Sequence, residues 1–251
     1  MKKLSLFIIT VFAIISCKED EDIVGNVNLD FSNTINDQTI VLSTESYTNQ
    51  SNETYTISEI KYIISNIVFI KENGDEFKYP TSESFFVINE EVSESKSLNL
   101  TNILSGKYTK IKFGIGVDQS NYPLEGANFV PTAQENDMIW SWSSGYKFIK
   151  FEGSFTTPEL TTPEEFLLHI GSHGEALDNY EEAIIDLSDT LVVENNSSSI
   201  ISIKADIAKI FDSINTHSLV IKKDVQIDPF NAPLLAENVS TMFSVTNVSN
   251  Q

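Results

Sequence analysis

Apolar residues fall at every second position through Val27-Asn-Leu-Asp-Phe31, the period of a strand with one face buried. Thr39-Ile-Val-Leu42 continues in the same style after a turn at Asn36-Asp37. Thr54 to Ile70 is richer still, with Tyr55, Ile57, Ile60, Tyr62, Ile63, Ile64, Ile67, Val68 and Ile70. It reads as two strand pieces meeting near Ser65-Asn66. Asn73-Gly74-Asp75 then marks a hairpin. Phe85 to Ile88, Ser97 to Leu100 and Tyr108 to Val117 follow as strands, with Gly106-Lys107 as the turn before the last.

Gln119 to Asp137 carries Pro123, Gly126 and Pro131 and no period, and is expected to be the longest loop. Loops of that length in compact domains tend to carry function. Strands are expected again over Ile139 to Phe151, closed by Glu152-Gly153, and then over Phe166 to Ile170, Ala183 to Leu187, Leu191 to Val193 and Ser199 to Ile203. Helix signals are confined to Asp206 to Phe211, with Asp206 as N-cap, and to Ala232 to Met242. No repeat or linker divides the chain. The pattern predicts an all-β, antiparallel β-sandwich with one or two short helical turns over residues 25–251.

Composition narrows the function. With 41% hydrophobic and 10% aromatic residues the chain can bury a sizeable core, and about 230 residues is an ordinary size for one β-sandwich. A formal charge of −20 excludes a basic nucleic-acid footprint. There is no arginine, so bidentate binding of phosphate or carboxylate is out of reach.

The N-terminus sets the expected compartment. Lys2 and Lys3 precede an apolar run from Leu4 to Ile15, too short to span a bilayer as a permanent helix. The run ends in Ile14-Ile-Ser-Cys17, which looks like a lipobox, so residues 1–17 read as a lipoprotein signal peptide. Cleavage would leave the only cysteine, Cys17, as the acylated N-terminus and take the charge to −22 through loss of Lys2 and Lys3. Residues 18–24 form an acidic tether. Its run Lys18-Glu-Asp-Glu-Asp22 is compatible with plain solvation and also resembles the export tag of surface lipoproteins of the Bacteroidetes. The expected location is the outer membrane, with the cell surface as the further reading of that tag.

Two segments concentrate the scarce chemistry. Met138 to Phe148 holds both tryptophans, Trp140 and Trp142, and Phe166 to Gly174 holds His169 and His173, two of three histidines. On an unbroken strand Trp140, Trp142, Tyr146 and Phe148 would share a face, which core packing alone explains. His169 on an apolar strand is equally readable as a hydrogen-bonded core residue. Four residues separate it from His173, but Gly171 and Gly174 argue against a helix there. A strand end entering a Gly-rich turn could still gather both imidazoles round a metal. Imidazole suits copper, zinc, iron and nickel alike. His217 reads as a loop residue. The chain has no HExxH helix, GxSxG elbow or glycine-rich phosphate loop, and carboxylate doublets such as Glu90-Glu91, Glu164-Glu165 and Glu181-Glu182 read as solvated surface. No enzymatic turnover is expected.

Several segments together resemble the MbnP-like family of copper-binding proteins. They are Val27 to Phe31, Tyr55 to Ile67, Lys110 to Asp118, Met138 to Gly153, His169-Ile-Gly171 and Ala236 to Phe243, in family order over nearly the whole mature chain. The resemblance implies a β-sandwich holding one copper ion through histidines, with His169 as the matched ligand; His173, which the strand-end reading brings close, is the expected second ligand. It implies that a tryptophan, Trp140 or Trp142, can be oxidised to kynurenine, with a di-haem enzyme of the cytochrome c peroxidase type as partner. It also implies a role in copper acquisition or storage outside the cytoplasm; the chain is expected to be a monomer. The family pattern places histidines near the C-terminus, where this chain has Asn247 and Ser249. Two other readings therefore stand beside it. One is a surface lipoprotein binding a partner or polymer through the Gln119–Asp137 loop. The other is a structural lipoprotein whose metal site is lost.

Overall fold

The computed structural model describes residues 23–118, 129–140, 145–173 and 177–251. Cys17, the signal peptide, most of the acidic tether and Trp142 lie outside these residues.

Among the described residues, fourteen strands form two sheets. In the five-stranded sheet, β1 (Val24–Ile35) lies between β12 (Ser198–Asp206) and the short β2 (Gln38–Thr39), β7 (Ser97–Leu104) pairs with β1, and β14 (Phe243–Ser249) closes the far side of β12. The nine-stranded sheet runs β11 (Glu181–Val193), β8 (Gly106–Ile115), β4 (Thr54–Lys71), β9 (Lys147–Thr156), β10 (Glu164–Gly171) and β13 (Asp224–Val225). Three short strands, β3 (Ser46–Thr48), β5 (Glu76–Lys78) and β6 (Phe85–Asn89), also pair with β4. The all-β sandwich expected from the pattern is the fold. Two pairings, β1 with β12 and β10 with β13, are parallel. Each joins segments far apart in sequence, as parallel pairing requires.

β4 organises the larger sheet. Its N-terminal half pairs with β9 and its C-terminal half with β8. The two pieces expected from sequence are one 18-residue strand with a register shift between Ser65 and Val68, where Asn66 takes φ +49°. An Asn tolerates that left-handed conformation, so the strand bends without ending. Between the sheets the core holds edge-on aromatic pairs, among them Phe31 with Phe113 and Phe243, and Tyr55 with Phe151, Phe166 and Phe211.

Three local expectations change. Residues 119–128 of the expected Gln119–Asp137 loop lie outside the described residues, and the part that is described contains a helix, α1 (Phe129–Glu135); a proline early in a helix costs no hydrogen bond, so Pro131 was no bar to it. Thr39 to Leu42 leaves the sheet after Thr39. The strand expected from Ile139 begins only at Lys147 and runs past Gly153 to Thr156. Before it, Ile139 and Tyr146 form an isolated antiparallel bridge. Trp140 is therefore not a strand residue, and the shared-face argument for Trp140, Tyr146 and Phe148 does not apply. The helical turn after Asp206 and the helix α2 (Asn231–Ser240) form where expected, and Asp206 caps its turn through Ala208 N.

A candidate metal centre around Trp140

The outer face of β4, β9 and β10 is charged, and two bulges set it up. A register shift between Ile57 and Glu59 fixes the phase of Glu59 and Lys61 in β4. A second shift, opposite Ile170 and Gly171, lets Lys147 share a face with Lys150, which a three-residue spacing on a regular strand forbids. Register then places Lys61 beside Lys150 and Lys150 beside His169.

These side chains form one network. Lys150 Nζ reaches Glu59 at 2.6 Å, Asp137 at 3.0 Å and Glu152 at 3.3 Å. Glu59 also pairs with Lys61. Asp137 Oδ2 accepts from Lys147 Nζ at 2.9 Å, and Lys61 Nζ donates to Asn136 O at 3.3 Å. Burial alone would lower the Lys150 ammonium, but its hydrogen bonds to Glu59 and Asp137 and the charges of Glu152 and Glu59 outweigh burial and raise it well above ordinary lysine. Burial would raise Asp137, yet Lys147 and Lys150 hold it below the usual carboxylate range. The three lysines thus clamp the 136–140 segment onto the sheet, and that segment delivers Trp140.

Trp140 is buried, and its indole N–H is shared between Tyr146 O at 3.2 Å and Ser172 O at 3.1 Å. Two glycines allow this close approach. A Cβ on Gly145, which takes φ +116°, would lie 2.1 Å from Ser172 O, and one on Gly171 would lie 2.1 Å from Tyr146 O. Around the indole stand both expected ligands. The His173 ring centroid is 4.6 Å away and that of His169 is 6.0 Å away, while Lys147 Nζ sits 5.6 Å from the ring centre. Residues 169 and 173 are thus united by the tryptophan packed against both.

His169 is buried, with Nε2 2.7 Å from Glu152 Oε1. That hydrogen bond, opposed by burial and helped by Lys150, holds Glu152 below the ordinary glutamate value. Burial lowers His173, with the Gln226 backbone opposing it, which favours the neutral imidazole a metal requires. Among the described residues no three His, Cys, Asp or Glu side chains gather as a metal group; what the described residues bring together here is two imidazoles packed against an indole.

His217 is elsewhere. It is buried, stacks on Phe211 at 6.3 Å, and its Nε2 donates to Lys222 O at 2.8 Å. Asn247 and Ser249 lie on β14, in the other sheet. Glu90, read as solvated surface, is instead tucked against Lys96 at 2.8 Å and Asn33 at 2.8 Å. Sequence reasoning missed Glu152, Lys147, Lys150 and Asp137. The visible signal was the charged residues at 147, 150 and 152 inside an aromatic strand.

A search of curated proteins returns no match. Among solved structures, MbnP from Methylosinus trichosporium aligns with a TM-score of 0.49 and 8% identity over 90% of this chain and 99% of that one. The MbnP family model matches residues 24–227, and the chain belongs to the MbnP family.

Proposed function

We propose that this protein binds a copper ion through His169 and His173 and serves in copper acquisition or storage outside the cytoplasm, anchored by lipid on Cys17 and without turnover of its own. Membership of a family linked to copper supports the metal. The observation that carries the site is the packing of both histidines against the buried indole of Trp140. Two imidazoles suit copper, and His173 is held toward its neutral form by burial. Copper would be stored there rather than react; the protein's part is to orient the imidazoles and exclude water around Trp140.

Of the two tryptophans, Trp140 is the one we assign to oxidation, because its ring already packs against both candidate ligands. As it stands its N–H is committed to two carbonyls and offers no lone pair. Oxidation to kynurenine by a di-haem peroxidase-type partner would supply a further donor. A second reading, a surface lipoprotein that binds a partner or polymer and whose metal site is lost, draws on the want of a third protein donor among the described residues.

Metal analysis and intact-mass spectrometry of protein from its native host separate the two. The copper reading expects close to one equivalent of copper and, where the partner is present, a Trp140 peptide that has gained oxygen and lost one carbon. Protein free of copper under copper-replete growth would favour the second reading.

A further inference from the structure

His169 has two nitrogens, and the charged layer distinguishes them. Nε2 faces Glu152 Oε1 at 2.7 Å. An ionised carboxylate has acceptors only, so the proton in that contact belongs to the imidazole. A neutral ring that donates from Nε2 keeps its lone pair on Nδ1. We infer that Glu152 is a positioning residue that fixes His169 as the Nε2–H tautomer and so reserves Nδ1 for the metal. The inference rests on the copper reading above.

The carboxylate is itself held. Glu152 lies beside Glu59 in the strand register, and Lys150 Nζ stands 3.3 Å from the same oxygen that faces His169. Lys150 is anchored in turn by Glu59 and Asp137. Asp137 also binds Lys147, whose ammonium stands over the Trp140 ring. A continuous set of ion pairs therefore runs from the outer edge of one candidate ligand to the face of the indole that packs against both. Carboxylate support of a ligating imidazole raises its basicity and sets its orientation. His217, by contrast, is bonded through Nε2 to the Lys222 carbonyl.

The test is nitrogen-15 NMR of the full-length apo-protein, read together with copper titration. Wild type should show His169 Nε2 as a protonated, pyrrole-type nitrogen and Nδ1 as an unprotonated, pyridine-type one. Glu152→Leu should mix the tautomers and weaken copper binding roughly 10- to 100-fold. Glu152→Gln, which keeps an acceptor oxygen and is less demanding of the fold, should preserve the tautomer and most of the affinity. A protonated Nδ1 in wild type overturns the inference, as does Glu152→Leu with unchanged spectrum and affinity. Should Glu152→Leu fail to fold, the wild-type and Glu152→Gln spectra still decide. A wild-type chain that takes up no copper sinks the copper reading, and a normal Nε2–H spectrum in that same sample shows that the failure lies there and not in the tautomer.

Discussion

His217 and His169 are equally buried, each 8% exposed, and each engages an oxygen through Nε2. They differ in what surrounds them. His217 stacks nearly flat on Phe211, its Nε2 is bonded to a main-chain carbonyl, and it stands close to Glu53. Glu53 is saturated: Asn49 Nδ2, Ser218 Oγ and the backbone N–H groups of Leu219 and Val220 all donate to its carboxylate. His169 is bonded to a carboxylate within a network of ions and lies beside a tryptophan that also touches His173. Burial does not separate a structural histidine from a candidate ligand. Their neighbours do.

Substitutions can widen or close that contrast. The largest loss of stability should come from Glu53→Gln, which turns an NH₂ group toward donors and leaves some of them unpaired. About 2–4 kcal/mol is expected in chemical unfolding, with copper binding intact. A loss below about 0.5 kcal/mol would deny the latch its role. Burial would raise Glu53, but its four hydrogen bonds outweigh burial and lower it. A lowered folded pKa means that this stability is present above the ordinary value of 4.5 and lost as pH falls through the folded value. The gap between wild type and Glu53→Gln should therefore narrow as the medium is acidified below that point, and a gap independent of pH would contradict the sign.

Gly145→Ala comes next. The new Cβ meets Ser172 O at 2.1 Å in a backbone conformation that alanine resists. A cost of about 1–3 kcal/mol is expected, together with weaker copper binding, because the residues carrying Trp140 and His173 are forced apart. Unchanged Trp140 fluorescence and unchanged affinity would show that this contact does not matter. The smallest effect should follow Lys147→Met, which removes the cation from the indole face at about 0.5–2 kcal/mol and leaves Asp137 with Lys150 alone.

How much of this could be read from the chain follows the range of the interactions. The alternation through Val27, Leu29 and Phe31, the turn at Asn73-Gly74, the cap at Asp206 and the helix after it are local, and each forms where the pattern put it. The helix α1 was hidden because Pro131 reads as a breaker when its place in the first turn is unknown. The start of β9 was hidden because Trp140 owes its position to Tyr146 O and Ser172 O, which no periodicity reports. His169 and His173 stood out in the sequence as candidate ligands close to a tryptophan segment, but no spacing showed that both rings pack against the Trp140 indole. Glu152 and the lysines were out of reach, since the bulge opposite Gly171 decides which face Lys147 joins.

Copper titration of three apo-proteins, wild type, His169→Ala and His217→Ala, tests the central contrast most directly. The account predicts one saturable site in wild type, its loss in His169→Ala and its retention in folded His217→Ala. Equal binding by all three, or loss in His217→Ala alone, would contradict it.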